Sequence, residues 1–514
     1  MLKRFLVLVI FLLSYTQAIG QSVDTAWVRR YNGPGNGTDQ AYAIAVDGSG
    51  NVYVTGYSLG TGTSTDYATI KYHSNGDTAW VRRYNGPANL WDEAEAIGVD
   101  GSGNVYVTGS SRGIGLGNDY ADLVTIKYDS SGNELWVSRY NGPSIDLPDG
   151  GTALVIDKFG NIYVTGYSYG SGTGYDFLTI KYYPNGDTAW LRTWNGPQEH
   201  DIAHHIALDN SGDVYVTGYS GSGISFVGWD YATVKYDPNG NEVWARIYNG
   251  PGDSIDYPQA IAADYSGNIY VAGVSWGGST GGDYATIKYY PNGDTAWVRR
   301  YNGPGNSNDG GTDIAIDTSG NIYVTGSSIG IVGLDDYTTI KYYPNGDTAW
   351  VRRYNGNYDS PDYAQAIRVD SHGCIYVTGS SYGSWGGLDF ATVKYDANGN
   401  ELWVARYSPI GNCWAKDMAV DLSGNVYVTG VSYSSLTDDD YAIAKYVQFL
   451  RGDANKDGQV AIGDVIFLIN YLFRGGPAPD PIQAGDANCD GKVTVADVVY
   501  LINYLFKGGP LPCK

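Results

Sequence analysis

Residues 51–56 read "NVYVTG", and near-copies of this hexapeptide recur along most of the chain. The copies begin at residues 104, 161, 213, 268, 321, 374 and 425, so that successive copies lie 51 to 57 residues apart. A sequence period near 50 is typical of propellers and solenoids, in which one supersecondary unit is repeated. The same repetition accounts for the high numbers of Gly (72) and Tyr (48) among 514 residues.

Each period contains four short β-type runs, which we name A to D. In the first full period they are "AIAVD" (43–47), "NVYVTGYS" (51–58), "DYATIKY" (66–72) and "TAWVRRYN" (78–85). Runs A and B are joined by a short Gly-rich turn, and runs C and D by a turn that contains Asn-Gly, which is a strong hairpin signal. Four antiparallel strands per unit predict the blade of an all-β propeller.

The order of the runs predicts how the propeller closes. The first D run, which contains Trp27, precedes the first A run, and the last C run (441–446) has no D run after it. One blade is therefore divided between the two ends of the chain, and the Trp27 strand is expected to pair with the last C strand. This pairing removes the exposed sheet edges of an open array. We expect eight blades, with seven as the alternative, because equal numbers of runs do not themselves fix the geometry.

The turns and loops define two faces. The A–B and C–D turns are short and uniform and form a constant face, whereas the longer D–A and B–C loops form a variable face, where ligands are expected to bind. Residues that recur in every blade are expected to be structural. These are a Trp predicted to pack between blades (27, 80, 136, 190, 244, 297, 350, 403) and a Lys predicted at a solvated strand edge (71, 127, 181, 235, 288, 341, 394, 445).

An Asp also recurs before seven of the eight A runs, and Cys413 takes its position in the eighth. Two interpretations are open: a turn-capping side chain in each blade, which we favour, or a set of carboxylates that holds a cation. The seven residues are Asp39, Asp92, Asp149, Asp201, Asp256, Asp309 and Asp362.

The pattern "AIAVDGSGNVYVTG" followed by "DYATIKY" resembles the bacterial β-propeller repeat family (SBBP) and, more distantly, NHL-type blades. The resemblance covers residues 24–446 and implies a closed propeller. It implies little about activity, because propellers include enzymes, lectins and scaffolds alike.

Departures from the repeat are the candidates for a ligand site. Four of them, on A strands, replace residues that are mostly small in the other blades: His205, Asp313, Arg368 and Asp417. Eight aromatic residues lie in or beside variable-face loops: Trp91, Tyr169, Trp229, Trp276, Tyr382, Trp385, Trp414 and Tyr433. Aromatic rings beside carboxylates and amides suit a sugar, which has an apolar face and a polar rim. Packing of the loops on themselves is an equally good explanation.

The propeller region contains no convincing catalytic signature, and its catalytic residues, if any, stay unknown. The segment "HDIAHH" (200–205) enters a strand, so it does not bring His200, His204 and His205 onto one face as a helix would. A pair of carboxylates at glycosidase separation remains open from the sequence.

The last 64 residues are built differently. "GDANKDGQVAIGDVIFLINYLFRGGPAP" begins at residue 452, and a close copy begins 33 residues later. Each copy has oxygen-bearing side chains at positions 1, 3, 5 and 12 of a calcium loop, with Gly at position 6 for the turn, and position 7 would contribute a backbone carbonyl. The predicted ligands are Asp453, Asn455, Asp457, Gln459 and Asp464 in the first loop, and Asp486, Asn488, Asp490, Lys492 and Asp497 in the second. We expect two calcium ions.

The duplicated loops, Asp at position 12 and a single helix after each loop resemble a type I dockerin. This resemblance implies docking to a cohesin-like partner. In cellulosomal dockerins, loop positions 10 and 11 help to select that partner; here they are Ile462 and Gly463, then Val495 and Ala496. These residues depart from the common Ser/Thr pair, which puts the identity of the partner in doubt.

The N-terminus predicts export. Lys3 and Arg4 precede the apolar run "FLVLVIFLL", and small residues near Gly20 suit signal-peptide cleavage. We therefore divide the chain into a signal peptide (1–20), a propeller (21–448) and a dockerin-like domain (449–514). An exported protein permits disulfides, and Cys489 and Cys513 are the candidate pair, whereas Cys374 and Cys413 are predicted on opposite faces.

These features predict a secreted, non-catalytic binding protein, whose propeller binds a ligand, such as a glycan, and whose dockerin docks it to a partner. The formal net charge of −22 argues against nucleic acid, and no segment is long and apolar enough to span a bilayer. Apart from docking, we expect a monomer. The alternatives are a polysaccharide hydrolase or lyase that carries a dockerin, and a structural surface protein.

Overall fold

The computed structural model describes residues 22–114, 121–144, 147–222, 228–383 and 386–512. The chain divides into two compact units, of which one comprises Asp24–Val447 and the other begins at Gln448. The first unit is built of strands β1 to β32, and the second contains helices α1 and α2. The all-β propeller class with a small helical C-terminal domain is confirmed.

The described strands group into eight four-stranded units, which we call blades 1 to 8. Blade 1 contains β2 (Asp39–Val46), β3 (Val52–Leu59), β4 (Thr65–Tyr72) and β5 (Thr78–Tyr84). Blade 2 contains β6 (Asp92–Val99), β7 (Val105–Arg112), β8 (Ala121–Tyr128) and β9 (Glu134–Tyr140). Blade 3 contains β10 (Asp149–Ile156), β11 (Ile162–Gly170), β12 (Gly174–Tyr182) and β13 (Thr188–Trp194). Blade 4 contains β14 (His200–Leu208), β15 (Val214–Gly221), β16 (Asp230–Tyr236) and β17 (Glu242–Tyr248).

The second half repeats this order. Blade 5 contains β18 (Asp256–Ala263), β19 (Ile269–Trp276), β20 (Gly282–Tyr289) and β21 (Thr295–Tyr301). Blade 6 contains β22 (Asp309–Ile316), β23 (Ile322–Ile329), β24 (Asp335–Tyr342) and β25 (Thr348–Tyr354). Blade 7 contains β26 (Asp362–Val369), β27 (Ile375–Tyr382), β28 (Leu388–Tyr395) and β29 (Glu401–Tyr407). Blade 8 contains β30 (Cys413–Val420), β31 (Val426–Ser434), β32 (Asp438–Phe449) and the N-terminal β1 (Ser22–Tyr31).

Blade 8 closes the ring as the order of the runs predicts. Strand β1 is hydrogen-bonded to β32, in the order β1-β32-β31-β30, and β2 of blade 1 packs against β30 and β31 of blade 8. Trp27 on β1 donates its indole N–H to the carbonyl of Ser74 in blade 1 (3.1 Å). Trp80 makes the same contact from blade 1 to Ser130 in blade 2 (3.3 Å).

The glycine that ends the repeated hexapeptide is required by a close approach between strands. Strand β2 has a bulge between Ala41 and Ala43 where it pairs with β3. A Cβ atom on Gly56 would lie only 1.9 Å from the carbonyl oxygen of Gln40, so a larger residue at this position would push the two strands apart.

The hydrophobic core lies between successive blades. One cluster joins Val54 and Ile70 of blade 1 to Tyr427 and Ile443 of blade 8, and equivalent clusters lie between the next blades. The repeated Trp residues contribute to this packing as expected. Seven of the eight repeated lysines, however, are buried and not at a solvated edge, and Lys181 is partly exposed. Lys71 lies 5.1 Å from the Tyr53 ring centre and donates to Ser130 O (3.0 Å). Each blade needs this partner because a lysine ammonium is buried only when it is paired.

The C-terminal unit contains two helices of equal length. They are α1 (Ile462–Arg474) and α2 (Val495–Lys507), with a short 3₁₀ helix (Ile482–Gly485) between them. Val465 and Leu468 of α1 pack with Val498 and Leu501 of α2 in a small core. Each helix ends at a glycine in the left-handed conformation, Gly475 and Gly508.

Candidate functional site

The repeated Asp residues have a structural role in the described blades. Asp39 is fully buried; one of its carboxylate oxygens accepts the N–H of Gly33 (2.6 Å) and the other that of Leu59 (2.9 Å). Asp92, Asp149, Asp201, Asp256, Asp309 and Asp362 each accept an equivalent glycine N–H. Each carboxylate therefore ties the loop before its own A strand, which is the capping role that we favour.

Three of the predicted A-strand departures meet in an ion-pair network. Arg368 donates to Asp313 (2.8 Å) and to Asp417 (2.7 Å), which lie on strands of blades 6 and 8 on either side of its own blade 7. Asp313 also accepts the N–H of Ile367 (2.9 Å), and Asp417 that of Ile44 in blade 1 (3.1 Å). The network thus links four successive blades across the closure of the ring.

The electrostatics of this network favour a fixed arrangement of charged side chains. Burial lowers the pKa of Arg368, but the charges of Asp417 and Asp313 more than compensate, so that its pKa is raised. Burial raises the pKa of Asp417, against the opposing effect of Arg368. Because each carboxylate already has partners on its own and a neighbouring blade, the network is better suited to hold the blades together than to bind a ligand.

The fourth departure, His205, does not form a metal centre with its neighbours. Its pKa is lowered to about 4, and that of His204 to about 3, mainly by burial. His204 Nε2 lies 2.9 Å from the hydroxyl of Tyr257. Over the described parts of the chain, no set of three or more His, Cys, Asp or Glu side chains is grouped as a metal ion would require.

The structure separates the predicted loop aromatics into covered and accessible rings. Trp229 is buried and stacks face to face on Tyr219 at 4.0 Å, and Arg112 lies over the Trp91 ring at 4.9 Å. These contacts agree with packing of the loops on themselves. Partly or well exposed rings remain at Tyr169, Trp276, Tyr382, Trp414 and Tyr433, and Trp91 is also partly exposed beneath Arg112. Trp385 lies outside the described residues.

The accessible rings are spread around the rim. Tyr169, Trp276, Tyr382 and Tyr433 lie at or near the ends of strands β11, β19, β27 and β31, in blades 3, 5, 7 and 8. Tyr433 is the most open of them, with 40 % of its surface exposed. A ligand that contacts more than one of these rings must therefore extend across blades.

Sequence reasoning missed a second aromatic group, in blades 3 to 5. His204 lies against Tyr219 (5.5 Å) and Tyr257 (5.2 Å), and Tyr175 lies against Tyr169 (5.0 Å) and His200 (5.5 Å). Here Tyr175 of β12 also pairs with His200 of β14, which merges blades 3 and 4 into one eight-stranded sheet. His200 and His204, which depart from the repeat, are the sequence feature that could have indicated this group.

The two predicted calcium loops have matching hydrogen bonds. In the first, Asp453 accepts the N–H groups of Asp457 (3.1 Å) and Gly458 (2.9 Å), and Asp464 accepts those of Asn455 (3.1 Å) and Ala461 (2.8 Å). The second loop repeats the four bonds through Asp486 and Asp497. Asp464 and Asp497 therefore close their loops and also cap the first turns of α1 and α2.

The loops fit a cation chemically. Burial raises the pKa of Asp464, backbone N–H groups oppose that effect, and the charges of Asp453 and Asp457 raise the pKa further. Burial and the charges of Asp486 and Asp490 act in the same way on Asp497. The Asp and Asn side chains of each loop offer the hard-oxygen donors that calcium prefers, although over the described residues they are not drawn together as the ligands of one ion. Gln459 and Lys492 occupy position 7 and offer backbone carbonyls.

The predicted docking residues lie at the start of each helix. Ile462 and Val495 are about half exposed, and Gly463 and Ala496 follow them. Two further apolar positions on each helix are exposed in matched pairs, 33 residues apart: Ile466 with Val499, and Phe473 with Phe506. The two helices thus present equivalent apolar stripes, of which the sequence analysis identified only the first positions.

The described cysteines are in two states. Cys489 in the second loop is disulfide-bonded, and its predicted partner, Cys513, lies outside the described residues. Cys374 and Cys413 are free, with Cys413 buried and donating to Ser432 (3.3 Å).

Family comparison supports both units. A model described as "Beta-propeller repeat" (SBBP) matches residues 26–62, 79–115, 136–172, 192–224, 243–279 and 296–331, and one described as "Dockerin type I domain" matches residues 451–506. Among curated proteins, an uncharacterized WD repeat-containing protein of Acanthamoeba polyphaga mimivirus is 25 % identical over 472 residues. The alignment covers 76 % of this chain and 33 % of that relative, so the chain spans about a third of the relative's length.

Solved structures are similar in fold only. Sqt1 from Chaetomium thermophilum matches with a TM-score of 0.51 at 9 % identity, covering 83 % of this chain and 99 % of that one. A puromycin hydrolase matches with a TM-score of 0.44 at 12 % identity, covering 77 % and 59 % of the two chains. Among the described residues, no helix is long and apolar enough to cross a membrane.

Proposed function

We infer that this chain, which carries β-propeller repeats and a type I dockerin domain, is a secreted, non-catalytic binding protein. It docks through its C-terminal unit and presents its propeller to a ligand. The observation that carries this proposal is the pair of matched loops and helices, residues 453–464 with α1 and residues 486–497 with α2. A dockerin implies a cohesin partner, and dockerin proteins are typically extracellular or attached to cell surfaces.

Calcium would act on docking through the start of each helix. Position 12 of each loop, Asp464 or Asp497, is also the third residue of its helix and accepts a backbone N–H from the residue before the helix. A cation held by that carboxylate therefore fixes the first turn, and with it Ile462 or Val495 on the surface. We propose one ion in each loop.

The docking surface that we propose is the apolar stripe of each helix. Its members, Ile462, Ile466 and Phe473 on α1 and Val495, Val499 and Phe506 on α2, are 49 to 65 % exposed. Exposed apolar side chains at matched positions are typical of a protein interface. Since no Ser or Thr stands at loop positions 10 and 11, the partner must present an apolar surface there rather than hydrogen-bonding groups.

The test measures binding of the full chain to a panel of type I cohesin domains by calorimetry, with calcium and with chelator. We expect saturable binding to at least one cohesin in calcium only. Asp453→Ala combined with Asp486→Ala should abolish it, and Ile462→Asp combined with Val495→Asp should weaken it while leaving calcium binding intact. Asp77→Ala combined with Asp294→Ala, which removes two exposed carboxylates of the propeller, is the matched control. Binding that is equal in chelator would contradict the proposal.

A glycan is the ligand class that we propose for the propeller. It is supported by the well exposed ring of Tyr433 and the partly exposed rings of Tyr169, Trp276 and Tyr382, because such rings stack on the apolar face of a sugar. Their spread over blades 3, 5, 7 and 8 favours an extended polysaccharide over a single sugar. Screening the full chain on a glycan array, with release of reducing ends measured on each bound glycan, separates binding from hydrolysis.

A further inference from the structure

Six blades share an internal site for a guanidinium group. In blade 1, Arg83 of the outer strand β5 donates to the carbonyl of Ser58 (2.7 Å) and to the carboxylate of Asp66 (2.8 Å). It also donates to the hydroxyl of Tyr31 on the neighbouring blade (3.3 Å). The carboxylate, the serine and the tyrosine hydroxyl together satisfy most of the guanidinium's donors, and the carboxylate is buried.

The same site recurs with the same residue types. Arg30, Arg139, Arg300, Arg353 and Arg406 bind Asp440, Asp122, Asp283, Asp336 and Asp389, with N–O distances between 2.5 and 3.0 Å. Each of these arginines also donates to a serine of its own blade. The arrangement is therefore a general property of the repeat and not a feature of one blade.

Blades 3 and 4 lack the arginine. Strand pairing places Thr193 opposite Leu178, and Ile247 opposite Ala232, as Arg83 lies opposite Ala68. Both replacements are exposed at the surface. The carboxylates are nevertheless retained, as Asp176 in blade 3 and Asp230 in blade 4.

Blade 3 keeps every acceptor of the site. Asp176 pairs with Ser168 as Asp66 pairs with Ser58. Tyr140, the equivalent of Tyr31, has its hydroxyl 3.4 Å from the Ser168 hydroxyl. In blade 4 the equivalent of Tyr31 is Trp194, which brings no hydroxyl, so that the site there is incomplete. We call Tyr140, Ser168 and Asp176 the arginine-free slot.

The carboxylate of the slot is buried and incompletely bonded. Asp176 is only 7 % exposed, and its Oδ2 accepts the Thr173 hydroxyl (2.9 Å). In blade 1 the equivalent Oδ2 of Asp66 accepts a threonine hydroxyl and also the arginine (2.8 Å), so the slot lacks the second of these bonds. The Oδ1 atoms of Asp66 and Asp176 both lack a hydrogen-bond partner in the described structure. Burial raises its pKa. Asp201 of the next blade is fully buried beside it, and its pKa is raised to about 6 by burial and in part by the charge of Asp176. A cation in the slot would lower the pKa of both Asp176 and Asp201.

We propose that the arginine-free slot binds a guanidinium supplied from outside the propeller, by an arginine side chain of a partner protein. The chemical argument is internal to the molecule, because six sibling blades use the same acceptors for their own arginine. The guanidinium would enter at the position of Thr193, whose short exposed side chain stands where the siblings carry their arginine. Tyr169 and Tyr175 are the strand neighbours of Ser168 and Asp176, and their rings contact each other and His200, so that an aromatic group adjoins the slot. This interaction goes beyond docking and glycan binding, and it does not depend on either.

The test titrates the full chain with the peptide acetyl-Gly-Arg-Gly-amide, followed by calorimetry or NMR, beside matched peptides that contain Lys or neutral citrulline instead of Arg. We expect saturable binding of the Arg peptide only. Thr193→Arg should supply an internal guanidinium and weaken binding by about tenfold or more. Thr188→Arg places the same charge at another exposed position of the same strand and should leave binding unchanged.

A second variant, Asp176→Asn, keeps the test decisive if Thr193→Arg fails to fold. Asp176→Asn keeps the shape of the side chain, and should abolish binding while the thermal midpoint stays near or above that of the parent. Thr193→Arg should raise the midpoint, whereas Thr188→Arg should not. Equal binding of the Arg and citrulline peptides, equal effects of the two arginine variants, or saturable calcium binding that Asp176→Asn removes would each overturn the proposal.

Discussion

The ammonium of Lys445, in the last strand of the propeller, lies 2.9 Å from the carbonyl oxygen of Ser74 in blade 1. Lys71 makes the same bond from blade 1 to Ser130 of blade 2 (3.0 Å). The junction between the last and first blades is therefore built from the same contacts as an internal junction. What differs is that its outer strand, β1, belongs to the other end of the chain.

Trp27→Ala tests the contribution of that N-terminal strand. The ring of Trp27 packs between blades 8 and 1, so we expect the free energy of unfolding to fall by about 3 to 5 kcal/mol. Trp80→Ala, at an internal junction, is the matched control and should cost a similar amount. Urea unfolding of both variants checks this, and a much smaller loss for Trp27→Ala would show that β1 contributes little to closure.

Arg368→Met tests the network that joins blades 6, 7 and 8. Removing the guanidinium leaves two carboxylates close together, and because Arg368 is 38 % exposed we expect a loss of only about 1 to 3 kcal/mol at neutral pH. Losing this partner raises the pKa of Asp417 further, so the deficit should shrink as the pH falls. A triple variant that also carries Asp313→Asn and Asp417→Asn should recover most of the loss. Denaturant unfolding measured from neutral to acidic pH checks this prediction. A loss of unfolding free energy that does not depend on pH would contradict the explanation.

The fold could be predicted because it is repeated. The hexapeptide and its turns recur because every blade has the same geometry. The D run that contains Trp27 follows from the same geometry, since it supplies the strand that the last blade lacks. The lysines were misjudged for a related reason: the residue type indicates a solvated edge, and only the neighbouring blade supplies the carbonyl and the ring that allow Lys71 to be buried.

The candidate sites were less predictable because they depend on contacts between blades. Departures from the repeat on A strands did mark Asp313, Arg368 and Asp417, but nothing in the sequence indicates that they bind one another. The loss of arginine at Thr193 and Ile247 was equally visible. Its consequence could not be predicted, because the sequence does not indicate that the other six arginines contact a buried carboxylate.

Asp201→Asn tests the effect of burying Asp201 close to Asp176. The pKa of Asp201 is raised from 3.8 to about 6 in the folded protein, so the folded state binds more protons than the unfolded state between these values. Stability contributed by the protonated form is present below pH 4 and is lost as the pH rises toward 6. Asp201→Asn should flatten this part of the profile and stabilise the protein at neutral pH by on the order of 2 kcal/mol. An unchanged slope of unfolding free energy against pH would contradict the assignment.

Trp276→Ala and Trp229→Ala separate a binding ring from a packing ring. Trp229 is buried and stacked on Tyr219, so its removal should cost about 3 kcal/mol or more of stability. Trp276 is partly exposed at the end of β19, and its removal should cost less than about 1 kcal/mol while weakening glycan binding. Thermal melts and affinity electrophoresis on a bound glycan give the two readouts. Comparable losses of stability in both variants would favour packing for Trp276 as well.

Removing calcium should affect the C-terminal unit and leave the propeller folded. Each loop carries three Asp side chains, and without a cation burial and the charges of the other two oppose the ionised forms of Asp464 and Asp497. Because these two residues also cap α1 and α2, metal binding and helix formation should be coupled. We expect chelator to reduce the helical circular dichroism of the full chain and calcium to restore it, with magnesium a weaker substitute because it requires stricter octahedral geometry. Asp453→Ala combined with Asp486→Ala should remove the response, and tryptophan fluorescence, which reports only the propeller because the last Trp is Trp414, should not change. Since the disulfide at Cys489 can hold the second loop together, the measurement is made under oxidising and reducing conditions, and helix content independent of calcium in both would refute the coupling.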